Sequence, residues 1–256
     1  MELFDSHAHY NDEKFNLDRE EVIENIYKSG VTKLINAGYS IKSSEEVVKI
    51  AEKYDFMHAI VGVSPNDIDN LENNYLEILE DMAKNKKVVA IGEIRLDYYW
   101  NKDNKEKQKQ VFIEQIELAN KLNLPIVIHT REAIQDTIDI LKNKIKCEKK
   151  GVFHCCPLNI ELVKEALKLG YYISIAGPAT FKNSKNAEQI LEYVPLDKIL
   201  IETDSPYLSP EPLRGKRNDS RNVKYIAQKI AEIKKLSIEE IALATYNNAK
   251  NIFNIN

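Results

Sequence analysis

Short, β-branched apolar runs alternate with segments of helical period along the whole chain, and that rhythm leaves few folds open. The apolar runs occupy residues 3–4, 31–37, 59–63, 88–94, 125–128, 152–153, 171–175 and 199–201. Between them, apolar residues return every three or four positions. Val22, Ile23, Ile26 and Tyr27 share one helical face, opened by Asp18-Arg19-Glu20-Glu21 in the form of a capping box and stopped by Gly30. Residues 43–46 open a second helix with Val47, Ile50, Ala51 and Tyr54 as its stripe, and residues 105–123 form a third that Pro125 ends. Asn159 caps a helix that Gly170 closes, and Ser237-Ile238-Glu239-Glu240 opens a last one running toward Phe253.

Strand then helix, repeated about eight times, predicts a parallel sheet with crossover helices. A closed barrel and an open doubly wound sheet both satisfy the pattern. The Gly-x-Gly-x-x-Gly turn of a dinucleotide fold does not follow the first run. No low-complexity linker divides the chain, so the expectation is a single-domain (β/α)₈ TIM barrel over residues 1–256.

Composition narrows the function classes. A net charge of −4 argues against a protein that coats long duplexes, because such binding draws on many neutralised phosphates. A small acidic substrate held at one site remains compatible. No apolar stretch approaches the roughly 20 residues that span a bilayer, and the start of the chain lacks the pattern of a secretory signal. Three cysteines, two of them adjacent at 155 and 156, suit reduced thiols in a cytoplasmic protein rather than a disulfide framework. No membrane contact and no obligate protein partner are expected.

The side chains able to hold a metal fall in one kind of place. His7 and His9 follow the first strand two residues apart, on one face by the strand period. Glu93 closes an apolar run in which a carboxylate is expensive unless paired or ligated. His129, His154 and Asp204 end or follow three further strands. Four of the chain's five histidines therefore sit where barrel active sites collect. The fifth, His58, precedes its strand and reads as structural.

Singly, each residue has an ordinary alternative: a surface His-x-His pair, a buried salt bridge at Glu93, hydrogen-bonded core histidines at 129 and 154, a turn cap at Asp204. Together, four imidazoles and two carboxylates suit Zn²⁺, Mn²⁺ or a related ion. They are too many for one tetrahedral site with an open position, which suggests two ions sharing a carboxylate.

Several segments carry a resemblance: Asp5-Ser6-His7-Ala8-His9, Gly92-Glu93-Ile94-Arg95-Leu96-Asp97-Tyr98, Ile128-His129-Thr130-Arg131 and Phe153-His154-Cys155. Glu202-Thr203-Asp204-Ser205-Pro206-Tyr207-Leu208, Arg214-Gly215-Lys216-Arg217-Asn218 and Thr245-Tyr246-Asn247-Asn248-Ala249-Lys250 complete it. In this order they make the chain resemble the TatD-type metal-dependent deoxyribonucleases of the amidohydrolase superfamily. The resemblance implies that His7, His9, Glu93 and Asp204 hold one divalent ion, and that Glu93, His129 and His154 hold a second, with Glu93 bridging. It also implies Mg²⁺ or Mn²⁺ as cofactor and hydrolysis of single-stranded DNA from the 3′ end.

A water activated by metal would be the nucleophile, with Asp204 and Glu93 as catalytic carboxylates and Asp204 accepting the proton. Arg131, Arg214, Lys216, Arg217 and Arg221 are candidates to hold flanking phosphates. Two positions depart from the family. Where relatives read Gly-Ile/Val-His-Pro-His/Asn, this chain has Gly62-Val63-Ser64-Pro65-Asn66, so Ser64 replaces a histidine and Ser64→His is expected to raise activity on DNA. Arg95 stands where relatives have glycine, either clamping phosphate or pairing with Asp97. The competing functions are an amidase, lactonase or phosphotriesterase on the same scaffold, or a non-catalytic single-strand-binding barrel.

Overall fold

The computed structural model describes residues 1–64, 68, 71–100 and 102–256. Eight parallel strands follow one another around a barrel in chain order. They are β1 (Leu3–Ala8), β2 (Val31–Ala37), β3 (Met57–Val61), β4 (Val88–Asp97), β5 (Ile126–Arg131), β6 (Val152–Phe153), β7 (Tyr172–Ile175) and β8 (Ile199–Ile201). The ring is closed by the residues just beyond β8. Asp204 donates its backbone N–H to His7 (2.9 Å), and His9 donates to Ser205 (2.7 Å). The segment bearing one carboxylate of interest is thus sewn to the segment bearing two histidines.

Helices α1 (Arg19–Lys28), α2 (Ile41–Glu52), α3 (Tyr75–Met82), α4 (Lys105–Leu122), α5 (Ile134–Asn143), α6 (Ile160–Lys168), α7 (Ala187–Tyr193), α8 (Val223–Lys234) and α9 (Ile238–Phe253) surround the strands. Local signals explain several boundaries. Asn159 accepts from the N–H groups of Glu161 and Leu162, and Ser237 with Glu240 forms a reciprocal capping box. Asn123 ends α4 in the left-handed region at φ 54°, which Asn tolerates, before Pro125. Two starts differ from expectation. The cap of α2 is Ser40, whose reciprocal partner is Ser43, so the helix begins earlier than residue 43. Asp18 stands before α1 without capping it, because its carboxylate is taken by Arg217 at 2.9 and 2.6 Å. Tyr27 is exposed rather than in the core, and His58 lies inside β3 rather than before it.

The core has two layers. Val22, Ile26, Val47, Leu79, Ile116 and Leu162 belong to the outer one, where helices cover the strands. The inner one fills the barrel with Phe4, Ile35, Ile60, Val89, Val127, Val152 and Leu200, and Phe253 and Ile255 from the last helix and tail plug its lower end. With the interior packed, only the opposite, C-terminal mouth can be open. Just below that mouth, β3, β4 and β5 approach unusually closely. A Cβ on Gly62 would stand 2.7 Å from the Gly92 backbone, and one on Gly92 would stand 2.7 Å from Val127 Cβ. Glycine at both positions lets Glu93 sit at the barrel's centre. Among the described residues no helix is long and apolar enough to cross a membrane.

Candidate metal centre

The six side chains marked by their strand-end positions converge on one point in the mouth. On β1 the register against β2 slips between Asp5 and Ala8, and Ala8 packs outward while His7 and His9 face inward. The strand period then carries Glu93, Arg95 and Asp97 along one face of β4, and His129 along that of β5.

Glu93 is the hub, and its two oxygens face two different sets of partners. Oε2 stands 3.6 Å from His7 Nε2 and 3.9 Å from His9 Nε2. Asp204 Oδ1 completes this side, 3.2 Å from His9 Nε2 and 3.8 Å from His7 Nε2. Oε1 stands 3.5 Å from both His129 Nδ1 and His154 Nε2, which are 3.1 Å from each other. Donors bound about 2.0–2.2 Å from an ion stand roughly 3–3.6 Å apart, so both groupings match the edges of a coordination shell. His7, His9 and Asp204 form one compact group that can hold a metal ion, and His7, Glu93 and His154 another.

Neighbouring groups fix the tautomers. His9 Nδ1 contacts the Ala37 carbonyl at 2.9 Å, so it carries the proton and leaves Nε2 free as a ligand. His154 Nδ1 contacts Glu202 Oε1 at 3.1 Å, with the same consequence. Glu202 also accepts from the Cys155 N–H at 2.7 Å. His7 Nδ1 and His129 Nε2 are buried without hydrogen-bond partners. The nearest carboxylate to His129 Nε2 is Asp97, at 3.9 Å.

Burial opposes charge on every member, and its balance against the neighbours sets each direction. For Glu93 they outweigh burial: His154, His7 and Arg95 hold its carboxyl well below the usual range. Asp204 is likewise lowered against burial, through its contact with His9. Burial wins at His129, pulled down to about 3, and at His7, where the charge of His154 adds to it. It loses at His154, raised by Glu202 and Glu93, and at His9, raised by Asp204. A stack of nitrogen and oxygen donors, part of it without partners, fits a divalent cation better than it fits itself.

With Asp12, Tyr39, Arg95 and Tyr207, the cluster's His9, Glu93, His129, His154 and Asp204 line a pocket of about 250 Å³, with His7 buried beneath. Arg95 is the only arginine or lysine lining it among the described residues. It pairs with Glu93 Oε1 at 3.5 Å and donates to Ser64 Oγ at 2.9 Å, rather than pairing with Asp97. Pro65 and Asn66 of the family segment lie outside the described residues. The other candidate cations do not line this pocket. Arg131 lies over the Tyr99 ring at 3.8 Å and Arg214 over Phe181 at 4.2 Å. Arg217 is committed to Asp18 and the Lys14 carbonyl, and Arg221 to Asp219.

Glu202, Asp97 and Tyr207 escaped sequence reasoning. Glu202 had a signal, since it ends the apolar run Ile199-Leu200-Ile201 just as Glu93 ends its own. The partner that justifies it, His154, is 48 residues away.

A packed (β/α)₈ barrel whose mouth gathers imidazoles and carboxylates is the frame on which metal-assisted hydrolysis is built. The sequence profile of the family described as TatD related DNase matches residues 4–254. The uncharacterized metal-dependent hydrolase YabD of Bacillus subtilis is 42% identical over 99% of this chain and 100% of its own length. The uncharacterized metal-dependent hydrolase YcfH of Escherichia coli K12 is 35% identical over 100% of this chain and 97% of its own. Among solved structures, the TatD homolog YjjV of Escherichia coli superposes with a TM-score of 0.93 at 26% identity, covering 99% of this chain and 98% of that one. The chain belongs to the TatD-related DNase family and is a hydrolase.

Proposed function

We propose that this protein is a divalent-metal-dependent deoxyribonuclease that removes nucleotides from the 3′ ends of single strands, with residues 1–256 acting as one catalytic domain. The observation that carries this reading is the division of Glu93: Oε2 faces His7 and His9, while Oε1 faces His129 and His154. A single carboxylate placed so would serve two ion positions. His7, His9, Asp204 and Glu93 would hold one, and Glu93, His129 and His154 the other, with Mg²⁺, Mn²⁺ or Zn²⁺ matching the mixed donor set.

When bound, such ions lower the pKa of coordinated water and neutralise charge on phosphoryl oxygens. The chain's own residues do the rest. His9 and His154, locked by Ala37 and Glu202, aim Nε2 at the centre without rotating. Asp204, partly open to the pocket, accepts the proton of the attacking water. Arg95 offers a permanent cation to a non-bridging oxygen of the scissile phosphate. A pocket of about 250 Å³ takes one nucleotide end rather than a duplex. Three free cysteines, at 147, 155 and 156, suit a reducing cytoplasmic compartment.

The test is cleavage of 3′- and 5′-labelled oligonucleotides, single-stranded and duplex, by Mn²⁺-loaded protein, beside a panel of lactones and phosphotriesters. Stepwise shortening of 5′-labelled single strands is expected, abolished by a chelator and restored by Mn²⁺. Turnover confined to the lactone or triester panel would overturn the assignment.

A further inference from the structure

We propose that Tyr99, Trp100 and Arg131, at the ends of β4 and β5 close to His129, form a stacking platform for the nucleobases of the strand being cleaved. The inference rests on the nucleic-acid reading above and adds a binding site to it.

The three side chains are assembled by the strand ends that build the metal centre. Tyr99 and Trp100 directly follow Asp97 and Tyr98 at the end of β4, and Arg131 ends β5 two residues after His129. The Tyr98 N–H donates to the Arg131 carbonyl at 3.0 Å, which ties the two ends together. The buried Asp97 accepts from the N–H groups of Tyr99 (3.0 Å) and Trp100 (3.4 Å) through Oδ1, while its Oδ2 faces His129 Nε2 at 3.9 Å. One carboxylate therefore sets the platform's backbone at a fixed place relative to a candidate ligand.

Despite that anchoring, the rings face solvent. Tyr99 is 47% exposed and Trp100 is 67% exposed, and they meet edge to face with centroids 4.9 Å apart. The Arg131 guanidinium lies 3.8 Å above the Tyr99 centroid and 5.7 Å from that of Trp100. Leaving an indole in water forgoes the burial free energy of one of the largest apolar side chains. An apolar protein surface would not call for a cation among the rings. A single strand does, because it presents base faces and phosphates at alternating positions. His129, two residues before Arg131 on β5, lines the pocket, so the platform stands one strand end away from it, within reach of a strand whose end enters the pocket. Base stacking of this kind favours single strands, since the faces of paired bases are covered by their neighbours.

Trp100 is the only tryptophan in the chain, so its fluorescence reports on the platform alone. The full-length protein in Mg²⁺ is titrated with a short phosphorothioate-linked oligothymidylate, which resists hydrolysis, and with an abasic strand of equal length and linkage. Quenching by the oligothymidylate and little change with the abasic strand is the expected result. Equal responses to both strands, or none to either, would overturn the platform. Separately, Trp100→Ala is expected to raise KM for unmodified oligonucleotides about tenfold with kcat little altered, and Trp100→Phe to recover most of the loss. An unchanged KM in a Trp100→Ala protein of native circular dichroism would also overturn it. Failure of wild-type cleavage with base-dependent quenching intact would instead remove the nuclease reading and leave the platform standing.

Discussion

Arg95 and Ser64 are joined across the ends of β4 and β3 by a 2.9 Å hydrogen bond from the guanidinium to the hydroxyl, and Ser64 is fully buried beneath it. These are the two positions expected above to depart from the TatD-type pattern, and in the structure they touch.

The coupling reverses the expectation that Ser64→His raises activity, since an imidazole at 64 would meet the Arg95 side chain. Ser64→His alone is expected to lower kcat/KM on oligonucleotides. Arg95→Ala should lower it about 10- to 100-fold, mainly through KM, as a charge-assisted phosphate contact is lost. The double change Ser64→His with Arg95→Gly should recover much of that. A Ser64→His enzyme faster than wild type would separate the two positions.

Asp204→Asn keeps the shape of the side chain but removes the proton acceptor and weakens one ligand. The loss should be about 4 kcal/mol of transition-state stabilisation, roughly a thousandfold, and fall on kcat. The backbone bond from Asp204 to His7 survives, so the barrel should stay closed. Single-turnover cleavage with metal content measured on the same sample decides it; a rate within tenfold of wild type removes Asp204 as the base.

Glu202 acts through His154, which it orients, and never faces the pocket. Glu202→Gln should weaken binding of the second ion about tenfold while the ion at His7, His9 and Asp204 is retained. Competition with a fluorescent chelator reads both affinities. Two unchanged constants would leave Glu202 as a packing residue only.

Arg217 bonds Asp18 through both guanidinium ends and lies over the Phe15 ring at 4.9 Å. It ties the loop after β8 to the start of α1. Arg217→Ala should therefore lower stability by about 0.5–1 kcal/mol in a denaturant melt and leave kcat/KM within twofold. A large rise in KM without destabilisation would restore it to phosphate binding.

His58 gives a pH dependence remote from the catalytic cluster. Burial, reinforced by Lys33 and Lys87, pulls its pKa down to about 4. The unfolded chain takes up a proton there as pH falls below about 6.5, whereas the native state stays neutral until about 4. Stability that His58 contributes above pH 6.5 is accordingly lost between those values. Relative to His58→Gln, the wild type should lose Tm progressively from pH 6.5 to 4, both proteins being kept in chelator. A difference in Tm constant across that range would show that His58 does not titrate differently on folding.

The order of strands and helices was legible in the sequence because each element carries its own period. β2, β6 and β8 fall on their expected residues; β1 and β4 run on past their apolar stretches into polar residues, β5 runs on to Arg131, and β3 begins two residues earlier, at Met57, and ends at Val61. The positions of His7, His9, Glu93, His129, His154 and Asp204 were legible for a related reason: a parallel barrel brings every strand's C-terminal end to one mouth, so local position along a strand implies meeting in space. What the local pattern does not carry is the identity of a partner distant in the chain. Only the tertiary structure decided that Asp18 bonds Arg217 instead of capping α1, that Arg95 reaches Ser64 instead of Asp97, and that Glu202 stands behind His154. Each choice depends on which side chains the packed layers bring within about 3 Å, and hydrogen bonds fall off too steeply with distance and angle for sequence spacing to stand in for that contact.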